Sequence, residues 1–364
     1  MNKNNIYIIY GDNPKQMILK ILENINPEAG LPRHTRIGIK PNLVVAKPSN
    51  SGATTSPELV EGIIEYFQSK GYMDIRILEG SWIGDRTDRA FKVCGYEEIS
   101  KRYGVPLVDL QNDRSTKYMV DGLELNICSK MKEIDYLINV PVLKGHCQTN
   151  ITCALKNIKG CIPNSEKRRF HAMGLHKPIA YLNKAIKQHL IIVDGIMGDL
   201  NFEEGGNPVR MNRILAGFDP VLIDSYAASL LGFDLEEIPY IKIAENIGVG
   251  NTNWSHSNII EFNKDQSAVI NASTGYIKQF AKYIEERDAC SACYGSLIHA
   301  LDRLKTKGKL NRIKSKLYIG QYYKGKTINV GIGIGQCAKG CKQYATGCPP
   351  LAGDIVQLLD EIYK

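Results

Sequence analysis

Residues 139–171 read NVPVLKGHCQTNITCALKNIKGCIPNSEKRRFH, and the fold turns on how this stretch is read. It starts as an apolar strand and breaks at Lys144-Gly145-His146. A short helix-like piece follows, and then a basic loop that ends at His171. Lys144, His146, Lys156, Lys159, Lys167, Arg168, Arg169 and His171 all fall inside it, and Glu166 is the one carboxylate among them. In open α/β sheets ligands bind beyond the carboxyl ends of the strands, so polar groups placed directly after a buried strand mark a candidate site.

Working outward, the flanking chain alternates strand and helix. Residues 6–10 read as a strand and 15–24 as a helix; 36–40 is a strand running into Pro41-Asn42. Ser56 is suited to cap a helix whose first residue is Pro57, and Leu59, Val60, Ile63, Ile64 and Phe67 then repeat with helical spacing. Residues 75–78 form a strand ending at Glu79-Gly80-Ser81, 90–103 a helix and 106–110 a strand. Residues 117–127 form a hairpin turning at Asp121-Gly122. After the central stretch, 178–188 is a helix and 190–193 a buried strand ending at Asp194-Gly195. This alternation predicts an α/β protein: a largely parallel sheet with helices on both faces, plus a smaller C-terminal α/β lobe carrying a cysteine cluster. Five strands then end in polar groups: Lys40 and Asn42; Glu79 and Ser81; Asp109; Lys144 and His146; Asp194.

Beyond Asp194 lies an acidic, glycine-rich loop, with Gly198, Asp199, Glu203, Glu204, Gly205 and Gly206. It reads as a cation site, a mobile lid or a plain surface turn. Asp219-Pro220 opens another helix, and Asp224 within it faces either a site lysine or solvent. The chain is 364 residues long, enough for two lobes. The apolar pattern thins over residues 248–258, which places an α/β domain at 1–250 and a second lobe at 251–364. Lys+Arg of 46 against Asp+Glu of 38 gives +8, spread without a long basic tract. That balance suits a small anionic ligand, and nucleic acid is disfavoured because no aromatic-interleaved basic strand is present. The opening MNKNNIYIIYG has too short an apolar run for a signal peptide, and no stretch reaches the ~20 apolar residues of a membrane span. A cytoplasmic protein without membrane contact is expected, with a homodimer compatible. Its ten cysteines are then thiols or metal ligands rather than disulfides.

Half of those cysteines lie in the final quarter. Cys290 and Cys293 open a helix, where the dipole favours thiolate. Cys337, Cys341 and Cys348 follow a strand at 328–334 in GQCAKGCKQYATGCPP. Five thiols compete for four places, Cys337 and Cys341 being the ambiguous pair. Thiolates suit zinc or iron–sulfur, and the Cys348-Pro349 pair favours iron–sulfur. The G-x-G-x-G at 331–335 lacks dinucleotide spacing and reads as a close approach to such a cluster. Cys161, after Gly160, is the most notable of the cysteines in the central stretch, and Cys153 reads as part of a buried helix face.

IKPNLV at 39–44, TTSPELVEGII at 54–64, VPVLKGH with TCALKNIKG up to Gly160, His171, IVDGI at 192–196 and ILAGFDPVLID at 214–224 together resemble the family catalogued as domain of unknown function 362. The resemblance spans about residues 36–250, and the tail is similar to the cysteine-bearing extension of some members. It implies a [4Fe-4S] cluster on Cys290, Cys293, Cys337 and Cys348, with Cys341 an extra. The parallel-sheet half is also distantly similar to the amino-terminal domain of nickel-pincer lactate racemases, although no adjacent His-His motif is present here.

These readings lead to an iron–sulfur reductase acting on a small anionic substrate, served by a low-potential donor such as a ferredoxin or flavodoxin. Lys40, Asn42, Lys156 and Asn157 are expected to bind substrate. Lys144, His146, His171 and Asp194 form the expected catalytic set, with His146 the general acid or base. The alternatives are an electron carrier, a cluster-stapled binding protein, or a zinc-stapled non-redox enzyme.

Overall fold

The computed structural model describes residues 4–264, 270 and 276–364. They divide into two compact units. The larger runs to Lys167 and resumes at His176; the smaller takes in Arg168–Leu175 and the described chain from residue 276 onward.

The strands of the larger unit are β1 (Ile6–Tyr10), β2 (Ile37–Pro41), β3 (Ile75–Glu79), β4 (Leu107–Asp109), β5 (Ser115–Val120), β6 (Leu123–Cys128), β7 (Tyr136–Val140), β8 (Lys144–His146), β9 (Asn150–Thr152), β10 (Leu190–Asp199), β11 (Pro208–Gly217) and β12 (Ile259–Glu261). Eight of them form one sheet in the order β12-β1-β11-β10-β7-β2-β3-β4. Every neighbouring pair is parallel except the two made by β11. β11 returns from β10 through a short loop, and strands joined so closely pair antiparallel. The β5–β6 hairpin turns at Asp121-Gly122, whose φ values of 45° and 81° are those a two-residue turn needs.

Helices along this part of the chain are α1 (Pro14–Ile25), α2 (Pro57–Ser69), α3 (Thr87–Val93), α4 (Tyr96–Tyr103), α5 (Ala154–Asn157), α6 (Asn164–Ala172), α7 (His176–Ala185), α8 (Pro220–Leu230) and α9 (Pro239–Asn246). Ile18, Ile21 and Leu22 of α1 and Leu59, Val60, Ile63 and Phe67 of α2 share one buried cluster with Ile37, Ile39, Ile77, Ile138 and Val140 of the sheet. At roughly 2 kcal/mol per buried side chain, this layer fixes where the strands end and so where the polar residues beyond them stand.

Two sequence expectations need correction. The single helix expected over 90–103 is two helices, because Gly95 takes φ +80° between α3 and α4. The basic loop expected up to His171 is helix α6; Lys, Arg and Glu are good helix formers, and Pro163 lies before its first residue. At the start of α8 the Asp219 carboxylate accepts from Val221 N and Leu222 N, and also from Asn251 N. Asp219→Ala is expected to cost about 1–2 kcal/mol, read as a lowered urea midpoint with secondary structure retained.

The smaller unit is built on four parallel strands, β13 (Ile284–Glu286), β14 (Leu317–Ile319), β15 (Ile328–Ile334) and β16 (Cys341–Ala345), in that order. It also contains α10 (Ser291–Thr306), which buries Leu297, Ile298, Leu301 and Leu304, and α11 (Ala352–Ile362). The chain is thus a mixed α/β protein with a large, mostly parallel sheet flanked by helices and a separate C-terminal α/β region bearing cysteines. No helix among the described residues is long and apolar enough to cross a membrane.

Candidate functional site

Beyond the carboxyl ends of β2, β3 and β7 a set of polar side chains is held inside the larger unit. Lys40 Nζ lies 2.9 Å from Glu79 Oε2 and donates to Pro41 O at 2.7 Å. Glu79 also accepts from Leu43 N and Gly80 N. Asn42 Nδ2 donates to Asn157 Oδ1 at 3.0 Å, and Asn157 Nδ2 donates to Asn139 Oδ1 at 2.7 Å. These bonds join β2, β3, β7 and α5 into one buried polar layer.

The small β8–β9 hairpin carries Lys144 and His146. Lys144 is wholly enclosed, and its three donors meet Asn42 Oδ1 at 3.1 Å, Glu203 O at 2.7 Å and Ala53 O. Burial pushes its ammonium down to about 7, because the charged form loses its hydration. His146 Nδ1 accepts from Gln148 N at 3.0 Å and Thr149 N at 3.1 Å. The ring proton therefore sits on Nε2. Burial pushes the imidazole down to about 4, so it is neutral at physiological pH. Its Nε2 lies 2.6 Å from Glu203 Oε2, off the N–H direction, and Lys156 Nζ lies 2.9 Å from the same oxygen. Burial alone would raise the Glu203 carboxyl, but its contacts with His146 and Lys156 override that and hold it well below the ordinary range.

Glu203 belongs to the loop 200–207 between β10 and β11. Asp199 closes this loop by accepting from Asn201 N, Phe202 N and Asn207 N. A Cβ on Gly145 would collide with the carbonyl of Leu200, so β8 and the loop pack backbone against backbone. Lys47 Nζ holds the Glu204 carbonyl at 2.7 Å.

Asp194 makes no hydrogen bond to His146. Its carboxylate accepts from Ser56 N and Ile196 N, and burial pushes it up to about 6. It lines a cavity of about 620 Å³ with Ser56, Glu58, Asp12 and Arg210, a volume within the range of small-ligand sites. Asp224 faces neither a lysine nor solvent: buried, it accepts from Ala154 N and Leu155 N at the start of α5, and burial pushes it up to about 7. Lys167 is a strut, bound to Gly80 O and Ser81 O and pushed down to about 8 by burial. His171 falls in the smaller unit, with Nε2 3.5 Å from Ser291 Oγ. Cys161 is fully buried, which pushes its thiol up to about 12.

Of the expected residues, the structure brings Lys144, His146, Lys156, Lys40, Asn42 and Asn157 together. It adds Glu203, which sequence reading left in an ambiguous loop, and Asn139, hidden inside an apolar strand. Their signals were present only as a carboxylate among glycines and a lone amide in a hydrophobic run.

The C-terminal cysteines require the largest correction. Contact with Cys348, burial and the neighbouring Cys290 and Cys337 push the Cys293 thiol up. The same contact, with help from Arg168, pushes the Cys348 thiol down. The thiols thus interact as a pair with neighbours, and Cys341 is buried at the start of β16. Among the described residues no group of three or more Cys, His, Asp or Glu side chains is arranged to hold a metal ion. The expected [4Fe-4S] site on Cys290, Cys293, Cys337 and Cys348 is therefore withdrawn. The iron–sulfur extension, the reductase, the ferredoxin or flavodoxin donor, the carrier and the zinc staple all depended on such a site and go with it.

Comparison with known proteins gives two further likenesses. The thylakoid-associated protein sll1697 of Synechocystis sp. is 26% identical over 227 residues, covering 60% of this chain and 69% of that protein. The lactate racemase apoprotein from Thermoanaerobacterium thermosaccharolyticum is 14% identical with a TM-score of 0.40, covering 65% of this chain. This chain spans 59% of the racemase's length. The family profile described as Domain of unknown function (DUF362) matches residues 37–229, just over half of the sequence, and the chain belongs to that family.

Proposed function

We propose that the protein is an enzyme that moves a proton on a small organic molecule at the carboxyl mouth of the large sheet. The observation that supports this reading is Lys144, an enclosed lysine whose ammonium is depressed to about 7 beside a neutral imidazole and a second lysine. A group that titrates near working pH is the best proton carrier, and buried groups shifted this way concentrate at sites of chemistry. In this reading Lys144 takes and returns the proton. His146 offers Nε2–H as a neutral donor to a developing negative charge, as its fixed tautomer requires. Lys156 supplies the permanent positive charge. A cytoplasmic setting fits ten cysteines that form no disulfide among the described residues.

The test is deuterium incorporation. Small carbonyl and carboxyl compounds with an exchangeable α-proton are incubated with the protein in deuterium oxide and followed by proton NMR. The expected result is protein-dependent loss of the α-proton signal from at least one compound class. No protein-dependent exchange from any class between about pH 6 and 9, a window that brackets the lysine's titration, contradicts the proposal.

A further inference from the structure

Glu203 touches every working group of the site at once. Its carboxylate lies against His146 Nε2 and Lys156 Nζ at 2.6 and 2.9 Å, and its carbonyl takes one of the three donors of Lys144 at 2.7 Å. With these contacts made, Lys144 has no direction left for a lone pair, and the two donors that would receive a negative charge already hold one. From this we infer that Glu203 is a tethered stand-in for the carboxylate of the substrate, so that the substrate class is small carboxylic acids. Binding exchanges one carboxylate for the other. This rests on the reading of Lys144, His146 and Lys156 as the proton-transfer group.

Three features of the loop fit such an exchange. The contact with His146 is close but off the N–H direction, and an untethered carboxylate is able to align where a tethered one is not. Gly205 and Gly206, with φ of +70° and +151°, follow Glu203 with only Glu204 between and allow the backbone to swing. Asp199 pins both ends of the loop through Asn201 N, Phe202 N and Asn207 N, and Phe202 is fully buried. The displaced part is therefore residues 203–206, held by exchangeable polar contacts that include Lys47 to the Glu204 carbonyl. One movement both empties the carboxylate position and returns a coordination direction to Lys144 Nζ. No covalent step is involved.

The test measures acetate binding to the full chain, with hydrogen exchange read at the amides of residues 203–206. Acetate is expected to speed exchange at these amides in the unaltered protein. Glu203→Gln, which keeps shape and removes the competing charge, is expected to bind acetate at least about tenfold more tightly, equivalent to roughly 1.4 kcal/mol. Lys156→Met in the Glu203→Gln background is expected to abolish that gain. Unchanged loop exchange with saturating acetate, or equal or weaker acetate binding by a folded Glu203→Gln, overturns the inference; the loop measurement needs no variant and decides the matter if Glu203→Gln does not fold. The two proposals fail separately. Acetate displacement without α-deuteration of any compound removes the proton-transfer chemistry and leaves the carboxylate position, whereas α-deuteration without displacement removes the stand-in and leaves the chemistry.

Discussion

Glu79→Leu is expected to destabilise the larger unit by roughly 3–5 kcal/mol, the cost of breaking a buried ion pair from one side. The substitution leaves the Lys40 ammonium, 1% exposed, with Pro41 O at 2.7 Å and a long 3.5 Å contact to Asn157 Oδ1. It also strips the acceptor from Leu43 N and Gly80 N. At about 2–4 °C per kcal/mol for a unit of this size, the melting temperature should fall by on the order of 10 °C. The double substitution Lys40→Met with Glu79→Leu removes the stranded charge and should recover a large part of the loss. Urea unfolding followed by far-ultraviolet circular dichroism checks both. A single-variant loss under about 1 kcal/mol, the usual ceiling of an exposed pair, means that water reaches Lys40 and that the polar layer under the site is not sealed.

Lys144→Met is expected to lower the rate of α-deuteration by about 10²–10⁴, the usual contribution of a placed acid or base. Proton abstraction needs the neutral amine, so the rate in the unaltered protein should rise with pH and level off above the Lys144 midpoint near 7. The sign follows from the depressed value: at pH above it the folded protein carries the amine, whereas an ordinary lysine would still be an ammonium. Lys144→Met should remove this inflection along with the rate. Asp224 titrates near the same pH but caps α5, so Asp224→Asn should keep the inflection. If Asp224→Asn abolished it and Lys144→Met did not, the assignment would belong to the helix cap.

Much of this site was legible in the sequence because it depends on strand ends. Lys40, Asn42, Lys144, His146, Lys156 and Asn157 all follow apolar runs closely: Lys40 and Asn42 stand at the end of β2, and the other four lie on the short hairpin and helix that follow β7. What was not legible depends on contacts between distant segments. Glu203 is one of several acidic residues in a glycine-rich loop; only the fold brings it 2.6 Å from His146. Asp224 sits in an apolar helix, and nothing local says that it receives two amides of α5, some seventy residues earlier in the chain. β11 was missed because its outer half, PVRMNR, carries little apolar signal, and only pairing with β10 makes it a strand. His171 looked like part of the central stretch by proximity in sequence, yet the chain passes to the smaller unit between Lys167 and Arg168. The cysteines misled for the opposite reason. Their spacing near Gly and Pro reads as a ligand set, whereas among the described residues no three of them are arranged to hold a metal ion.

The account depends above all on Lys144 being able to exchange its proton near neutrality. The direct measurement is a heteronuclear NMR titration of the full chain labelled with ¹³C and ¹⁵N in lysine, with the Lys144 signal assigned by its absence in Lys144→Met. A side-chain midpoint near 7 is the result predicted. A midpoint close to the ordinary 10.5 would make Lys144 a permanent ammonium strut bound to Asn42, Ala53 and Glu203, and would contradict the proton-transfer reading.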